Sequence, residues 1–324
     1  MKVLTIVTSA YRSANYIRIY FESVLRLNSL ESLKVILVLN DPDNIELQVS
    51  KEYQSLYPDL FNILKVPRET IGASLNRGFN ISKTPYTAYL DIDDQRVPDS
   101  FDRQIATLES NPDVDFTYGD IMVVSTQGET EGRYVLVPEF DSFEFTRSCI
   151  ASPTQLFRTH LLKKLKGFDE QLKSGGDFDF NIRAASNCKF KKTPGLLCYY
   201  TKFMGSGSAS SNDLQPIERT VIELRYGIFD KIDYRYIKQA REYNISNILI
   251  NGDWLPISQF IHNYESIIKE RKYLKPIGLR KYRIAQFQRQ ISHGKKFVKN
   301  LFRFLVNKIG LYNVLIPVWR KLIK

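Results

Sequence analysis

The chain is poor in cysteine and histidine, and this scarcity limits the chemistry that it can carry. Its 324 residues include only three of each. An odd number of cysteines without metal-type spacing predicts reduced core residues in a cytosolic protein. The histidines are scattered, which argues against a zinc site. The residues concerned are Cys149, Cys188, Cys198, His160, His262 and His293.

Long apolar runs are also missing. No segment reaches the roughly 18–20 consecutive apolar residues of a transmembrane helix. Lys2 leads directly into a strand-like segment rather than into the apolar part of a signal peptide. Hydrophobic residues still make up 43% of the chain and aromatic residues 13%, so it can bury a large interior. At this length we expect one large domain with an appendage.

Acidic residues are absent from the C-terminal stretch. From residue 271 onward the sequence holds 15 Lys and Arg but no Asp or Glu, in a chain whose net charge is +11. This asymmetry predicts contact with an anionic surface, either a nucleic acid or the inner leaflet of a membrane. Residues 295–309 have apolar side chains on one helical face and basic ones largely on the other, which is typical of a helix in a membrane interface. The alternative is that this face packs on the protein's own helices.

Strand-like apolar segments alternate with amphipathic helical segments through the first hundred residues. This alternation predicts an α/β fold with a mixed, mostly parallel sheet that is covered by helices on both faces. A hairpin follows within residues 121–137. The first four strands are predicted at residues 3–8, 34–39, 61–66 and 86–90.

The domain boundaries follow from these patterns. We place the α/β domain at residues 1–212, a helical subdomain at 213–273 and the basic tail at 274–324. Residues 204–212 are rich in Gly and Ser. They form either a plain linker or a flexible flap over a site.

Three carboxylates, Asp91, Asp93 and Asp94, follow the fourth predicted strand. Carboxylates this close raise one another's pKa unless a positive charge lies between them. Mg²⁺ or Mn²⁺ would supply that charge and bind nucleotide phosphates, and ligands bind at the C-terminal ends of strands in open α/β sheets. The alternative is an acidic turn that caps the helix after Pro98, with Asp94 or a neighbour as the cap. The residues alone leave both interpretations open.

A second acidic pair, Asp177 and Asp179, opens a helix predicted to extend to about Ser186. Backbone N–H groups and the helix dipole stabilise a carboxylate at such a position. Capping therefore explains one of the two residues, but it does not readily explain both.

Together these motifs resemble the family 2 glycosyltransferases, which are inverting enzymes of GT-A fold that use nucleotide-sugar donors. The GT-A fold is a Rossmann-like, mostly parallel sheet flanked by helices, here with a C-terminal helical extension. The resemblance covers about residues 3–208. It is carried by the order and spacing of the segments IVTSAYR, VLNDPDN, IGASLNRGFN, YLDIDD and GFDEQLKSGGDFDF.

The resemblance implies a role for each matching residue. Asp177 would be the catalytic base, and Asp93 together with Asp91 would bind the metal, Mn²⁺ or Mg²⁺. Donor-binding roles are implied for Ser9, Tyr11, Asn40, Asp41, Gly72, Asn76 and Asp91.

The resemblance also implies the reaction and the partners. It implies a hexosyltransferase-type enzyme that makes a single displacement at the anomeric carbon, with a UDP-sugar as the donor we expect. The acceptor would be a glycan or a lipid-linked glycan of bacterial surface polysaccharide synthesis. Taken with the basic tail, we expect a cytoplasmic protein at the inner face of the membrane, in contact with anionic lipid and not with nucleic acid.

The sequence departs from the family pattern at three positions. Gly176 stands where a Glu usually precedes the base, Leu75 replaces a frequent arginine, and Phe203 replaces a histidine that often contacts the metal or the diphosphate. Two other functions remain as alternatives: a nucleotidyltransferase, and a non-catalytic protein that binds nucleic acid or membrane. The chain has no Gly-rich phosphate loop near residue 10 and no nucleic-acid-binding motif beside its basic run.

Overall fold

A computed structural model describes residues 2–202 and 214–226, the single positions 228, 236, 239 and 240, and the short segments 247–250 and 253–256. The proposed flap, the basic tail and Phe203 lie outside the described residues. So does most of the predicted helical subdomain.

The described residues form strands and helices in alternation through most of their length. The strands are β1 (Leu4–Ala10), β2 (Leu33–Asn40), β3 (Phe61–Val66), β4 (Tyr86–Tyr89), β5 (Gln95–Arg96), β6 (Phe116–Val124), β7 (Arg133–Val135), β8 (Leu156–Arg158), β9 (Phe190–Thr201), β10 (Asn247–Ile250) and β11 (Asp253–Pro256). The helices are α1 (Ile17–Leu25), α2 (Asn44–Leu56), α3 (Ile71–Ile81), α4 (Ser100–Glu109), α5 (Ser142–Phe145), α6 (His160–Leu165), α7 (Gly176–Asn187) and α8 (Leu214–Arg225).

Nine of these strands form one mixed sheet in the order β3-β2-β1-β4-β8-β6-β9-β5, with β7 paired to β6. The first four strands pair in parallel. β8 lies antiparallel between β4 and β6, and β6 pairs in parallel with β9. The prediction of a mixed α/β sheet is therefore confirmed. Its parallel strands are concentrated in the N-terminal half, where strand and helix alternate.

The sheet separates two hydrophobic cores. Successive residues of β2 face opposite sides because a strand has a period of two. Val35 and Leu37 pack into the core beneath α1, α2 and α4, while Ile36 and Val38 pack into the core beneath α3, α6 and α7. The C-terminal ends of β1, β2 and β4 are thus held at one edge by helices on both faces.

The start of α2 fixes the loop that follows β1. Asp43 caps this helix by accepting a hydrogen bond from the Glu46 backbone N–H, and the Glu46 carboxylate accepts one from the Asp43 N–H. The same buried carboxylate accepts hydrogen bonds from both the backbone N–H and the hydroxyl of Ser13, at 2.6 Å each. One capping box therefore joins the β1–α1 loop to the end of β2.

The glycines of α3 bring this helix close to its neighbours. A Cβ atom at Gly78 would overlap with Cγ1 of Val7 in β1. A Cβ at Gly72 would lie 3.2 Å from the Asp169 carbonyl oxygen and 3.3 Å from Cβ of Phe168. The two glycines let α3 pack tightly against the sheet on one side and against the turn before α7 on the other.

The predicted helical character of residues 213–273 is confirmed only at its start. α8 is a helix, but β10 and β11 pair as antiparallel strands, so the prediction was wrong for residues 247–250 and 253–256. The sequence between the two strands is Asn251-Gly252. Asn-Gly flanked by apolar residues is a strong short-range hairpin signal, and it outweighs the helical spacing of the surrounding residues.

Among the helices of the described ranges, none has both the length and the apolar character needed to cross a bilayer.

We predict that Gly78→Ala lowers the free energy of unfolding. Overpacking a close contact costs about 1–3 kcal/mol, which outweighs the roughly 0.8–1 kcal/mol that Ala gains over Gly in a helix. Urea denaturation followed by circular dichroism measures the change. Asn80→Ala, at an exposed position of the same helix, is the matched control and should not destabilise. A Val7→Ala background should abolish the penalty, and a stabilising effect of Gly78→Ala in the wild-type background would contradict the prediction.

Candidate active site

Two acidic motifs that are far apart in the sequence meet at the end of β4. Asp91 and Asp93 directly follow this strand, and Asp177 lies in the first turn of α7. Burial, together with the nearby carboxylates of Asp93 and Asp177, raises the pKa of Asp91 to about 7. Burial also raises the pKa of Asp93 and of Asp177. The site is thus a cluster of carboxylates at the C-terminal edge of the parallel strands.

Asp94 belongs to the scaffold of this edge. Its buried carboxylate accepts a hydrogen bond from the Thr201 backbone N–H at 2.8 Å, and the Thr201 hydroxyl donates to the Asp93 carbonyl oxygen at 2.6 Å. The interpretation of Asp94 as a helix cap was wrong, because α4 begins at Ser100 with Asp99 in the cap position. Asp94 instead fastens the acidic turn to the end of β9.

The Asp177 carboxylate is held on both of its oxygens. Oδ1 accepts a hydrogen bond from the Phe178 backbone N–H at 2.8 Å, and Oδ2 accepts one from the Cys149 thiol at 3.3 Å. Asp177 remains partly exposed. A partly accessible carboxylate with a raised pKa has the properties of a general base.

Asp179, the second member of the pair, has a structural role. Its carboxylate accepts hydrogen bonds from Arg183 at 2.9 Å, from Arg225 at 2.6 Å and from the Tyr226 hydroxyl at 2.8 Å. Arg225 also forms an ion pair with Asp169 at 2.8 Å. Burial opposes the charge of Asp179, but the two arginines outweigh it and hold its pKa below the usual value. This buried network joins α7 to α8 and to the turn at residue 169.

The predicted donor-binding residues Ser9, Tyr11 and Asp41 lie at or just beyond the ends of the paired strands β1 and β2. Asp41 is exposed, and it adopts a left-handed backbone with φ of 52° that Asp tolerates better than most residues. The Arg68 guanidinium lies 3.4 Å from the centre of the Tyr11 ring. No sequence motif pointed to Arg68, which lies in the loop after β3.

Asn40 and Asn76, also predicted to bind the donor, are engaged by the protein itself. The Asn40 amide group donates to the Glu69 carbonyl oxygen and the Ser74 hydroxyl, and it accepts from the Glu69 N–H. The Asn76 amide exchanges hydrogen bonds with the Phe168 backbone at 3.0 and 2.8 Å. These contacts fix α3 beside the site, and the donor-binding roles of both residues and of Gly72 stay predictions.

Among the described residues, no group of three or more His, Cys, Asp and Glu is arranged to hold a metal ion. Asp91 and Asp93 offer two carboxylates. Mg²⁺ and Mn²⁺ are commonly bound in enzymes by one or two carboxylates together with substrate phosphates. The Asp93 carboxylate helps to raise the pKa of Asp91, so a positive charge placed beside the two carboxylates would stabilise their ionised forms. The donor set therefore fits a divalent cation whose coordination a diphosphate completes.

The sequence model of glycosyl transferase family 2 matches residues 5–165. The matched segment is a domain of this family. It includes Asp91 and Asp93 and ends before Asp177.

Two curated relatives are similar over the α/β domain. An uncharacterized glycosyltransferase of Methanocaldococcus jannaschii is 27% identical over 191 residues, which are 57% of this chain and 65% of that protein. Chondroitin synthase of Pasteurella multocida is 23% identical over 210 residues, which are 65% of this chain and 22% of that protein. The chain thus spans about two thirds of the first relative and about a fifth of the second.

Among solved structures, S. aureus TarS 1-349 in complex with UDP-GlcNAc has the same fold. The two structures align with a TM-score of 0.57 and 19% sequence identity, over 75% of this chain and 73% of that one. The similarity confirms the predicted GT-A glycosyltransferase fold.

We predict that Asp91→Asn stabilises the metal-free protein at pH 8. The ordinary pKa of Asp is 3.8, and that of Asp91 in the folded protein is about 7. Between these two pH values the folded protein binds more protons at Asp91 than the unfolded chain does. Stability contributed by this group therefore falls as pH rises through that window and stays low above it. Removing the carboxylate should raise the free energy of unfolding at pH 8 by on the order of 2–4 kcal/mol, with little change at pH 4.

Urea denaturation in the presence of a chelator at pH 4, 6 and 8 measures this difference. Asp113→Asn replaces an exposed aspartate that pairs with Lys189 and should bring no gain at pH 8. A loss of stability of Asp91→Asn at pH 8 would contradict the electrostatic account of the cluster.

Proposed function

We propose that this protein transfers a sugar from a UDP-sugar to an acceptor hydroxyl with inversion at the anomeric carbon. The observation that carries this proposal is the convergence of Asp91, Asp93 and Asp177 on one site. The family match supports the reaction class. In such a transfer, charged groups must lie close both to the diphosphate of the donor and to the attacking hydroxyl. Asp91 and Asp93, after β4, would serve the diphosphate, and Asp177, in α7, would serve the hydroxyl.

The donor side of the site is formed by the ends of β1, β2 and β4. Tyr11 offers an aromatic face and Asp41 an exposed carboxylate for the nucleoside, and Asp91 lies beside them at the end of the next strand. Crevices at the C-terminal ends of parallel strands are the usual ligand sites of open α/β sheets. The complex of the structural relative TarS with UDP-GlcNAc supports a uridine nucleotide as the donor class.

The acceptor side is formed by the N-terminal turn of α7. Asp177 would take the proton from the acceptor hydroxyl as the oxygen attacks the sugar. Its partial burial raises its pKa from that of a free Asp toward neutral pH. A pKa nearer to the working pH suits a general base. The hydrogen bond from the Phe178 N–H orients the carboxylate while leaving it open to the site.

Asp93 and Asp91 would hold a Mn²⁺ or Mg²⁺ ion together with the donor diphosphate. Such an ion supplies positive charge that stabilises the departing diphosphate. The chain's own contribution is to fix the two carboxylates at the end of β4, through the hydrogen bonds that Thr201 makes to Asp93 and Asp94.

The acceptor we propose is a surface glycan precursor. The similarity to chondroitin synthase, a protein named for polysaccharide synthesis, supports this class. The basic charge of the C-terminal sequence supports a precursor on a lipid carrier and a peripheral location at the inner face of the membrane. Vesicle flotation of the full chain with anionic and with neutral lipids tests the membrane contact.

We predict that Asp177→Asn lowers the rate of sugar transfer by about 10²–10⁴-fold, which is the usual contribution of a general base, and leaves binding of UDP with Mn²⁺ intact. Asp93→Ala should instead abolish the metal-dependent binding. Transfer is followed by UDP release across a panel of UDP-sugars and acceptors, and binding by thermal shift. A ligand at about 100 times its dissociation constant adds about 2.7 kcal/mol of stability, which is readily measured.

Asp113→Asn serves as the control for the loss of a carboxylate far from the site. Equal loss of UDP binding in Asp177→Asn and Asp93→Ala would argue against separate roles. If no nucleoside diphosphate stabilises the protein with or without metal, the proposed activity is wrong.

A further inference from the structure

The Cys149 thiol lies in a short chain of hydrogen bonds that ends on the proposed base. Its Sγ donates to Oδ2 of Asp177 at 3.3 Å, and it accepts from the Asn181 side-chain amide at 3.3 Å. Asn181 stands one helical turn after Asp177 on α7, so the three groups close a small loop. Cys149 enters this loop from the segment between α5 and β8.

The electrostatic surroundings of the Cys149 thiol favour its neutral form, which can donate a hydrogen bond. Burial raises the pKa of Cys149 well above its usual range, and the Asp177 carboxylate raises it further. Cys149 therefore keeps its proton when Asp177 is ionised. A neutral S–H that donates to a carboxylate stabilises the charged form of that carboxylate.

We propose that Cys149, oriented by Asn181, is a positioning residue that holds the Asp177 carboxylate toward the acceptor. This inference rests on the proposed function, in which Asp177 is the base. Oδ1 is fixed by the Phe178 backbone and Oδ2 by the thiol, so both oxygens have a defined direction. Burial drives this carboxyl toward its neutral form, which cannot accept a proton from the acceptor. The thiol opposes this effect of burial on the pKa most strongly, followed by the Phe178 N–H, the backbone of Asp177 and the Ser152 side chain.

The Asn181 side chain has one hydrogen-bond acceptor that no described residue uses. It is 2% exposed, and its Oδ1 has no hydrogen-bond partner among the described residues. Leaving a buried acceptor unpaired is destabilising. The Nδ2 group of the same amide donates its hydrogen bond to the Cys149 sulfur. The arrangement is explained if the orientation of the thiol matters more than full pairing of the amide.

Other ionisable groups near this end of α7 are accounted for. Tyr89 and Asp91 face Asp177 from β4 and the turn after it. On α8, Glu218 accepts hydrogen bonds from backbone N–H groups of residues 173–175, and Arg219 lies over the Phe178 ring. Arg147, two residues before Cys149, is buried, and its guanidinium lies 3.8 Å from the centre of the Phe143 ring. The following charged groups on α5 and α6 are exposed: Glu144, His160, Lys163 and Lys164.

The test compares Cys149→Ala, Cys149→Ser and wild type in the full chain. Removing the thiol should shift the acid limb of the kcat–pH profile to higher pH by about 0.5–1 pH unit. It should also lower kcat several-fold at pH 6, while the KM for the UDP-sugar stays unchanged. Serine restores a donor of similar size, so its acid limb should lie at or below that of wild type. Cys188→Ala is the matched control, because that thiol donates to the Ala184 carbonyl oxygen at the far end of α7.

A second measurement does not depend on sugar transfer. The rate of maleimide labelling at Cys149, followed by mass spectrometry, should rise about tenfold in Asp177→Asn at pH 8, because the carboxylate no longer opposes the thiolate. Labelling of Cys188 in the same chain is the internal reference and should not change.

The outcomes separate the inference from the proposed function. Identical acid limbs in all variants, or labelling of Cys149 that is unaffected by Asp177→Asn, would overturn the role of Cys149. Absence of sugar transfer in wild type, with labelling of Cys149 still dependent on Asp177, would overturn the proposed function and support the contact between the two groups.

Discussion

The buried carboxylate of Asp179 fixes the helix on which half of the site is built. It is satisfied by Arg183 from its own helix and by Arg225 and Tyr226 from the end of α8. Removing one partner of such a buried pair leaves an uncompensated charge and costs about 3–5 kcal/mol. The network therefore determines where α7 lies relative to the sheet, and with it where Asp177 points. A single ion cluster outside the site sets the geometry within it.

Several residues that match family motifs act as scaffold in this structure. Asn76 joins α3 to the turn before α7, Asn40 joins the end of β2 to the segment at Glu69, and Gly72 allows the close approach of α3 to Phe168. These contacts hold the strand ends on one side of the site and the start of α7 on the other in a fixed relative position. These motif residues thus hold the scaffold of the site together, and their donor-binding roles stay predictions.

The carboxylate cluster is unfavourable in the isolated protein. Burial and mutual repulsion raise the pKa of Asp91, while burial raises that of Asp177, so the folded protein carries strain that a bound cation and diphosphate would relieve. Such local instability is common at functional sites, where the geometry needed for binding or catalysis differs from the most stable one. The Cys149 thiol donates a hydrogen bond to one of these carboxylates, Asp177, and so opposes the effect of burial on its pKa.

The sequence by itself determined the alternation of strands and helices in the first hundred residues, because the periods of two and 3.6 are local properties of the chain. It also singled out Asp91, Asp93 and the pair Asp177 and Asp179 by residue type and order. It missed the strands at 247–250 and 253–256, and only the resemblance to a known family distinguished Asp177 from Asp179. Only the tertiary structure decided that one carboxylate faces the site and the other a pair of arginines, because the arginine of α8 and the thiol of Cys149 approach α7 through contacts between distant segments.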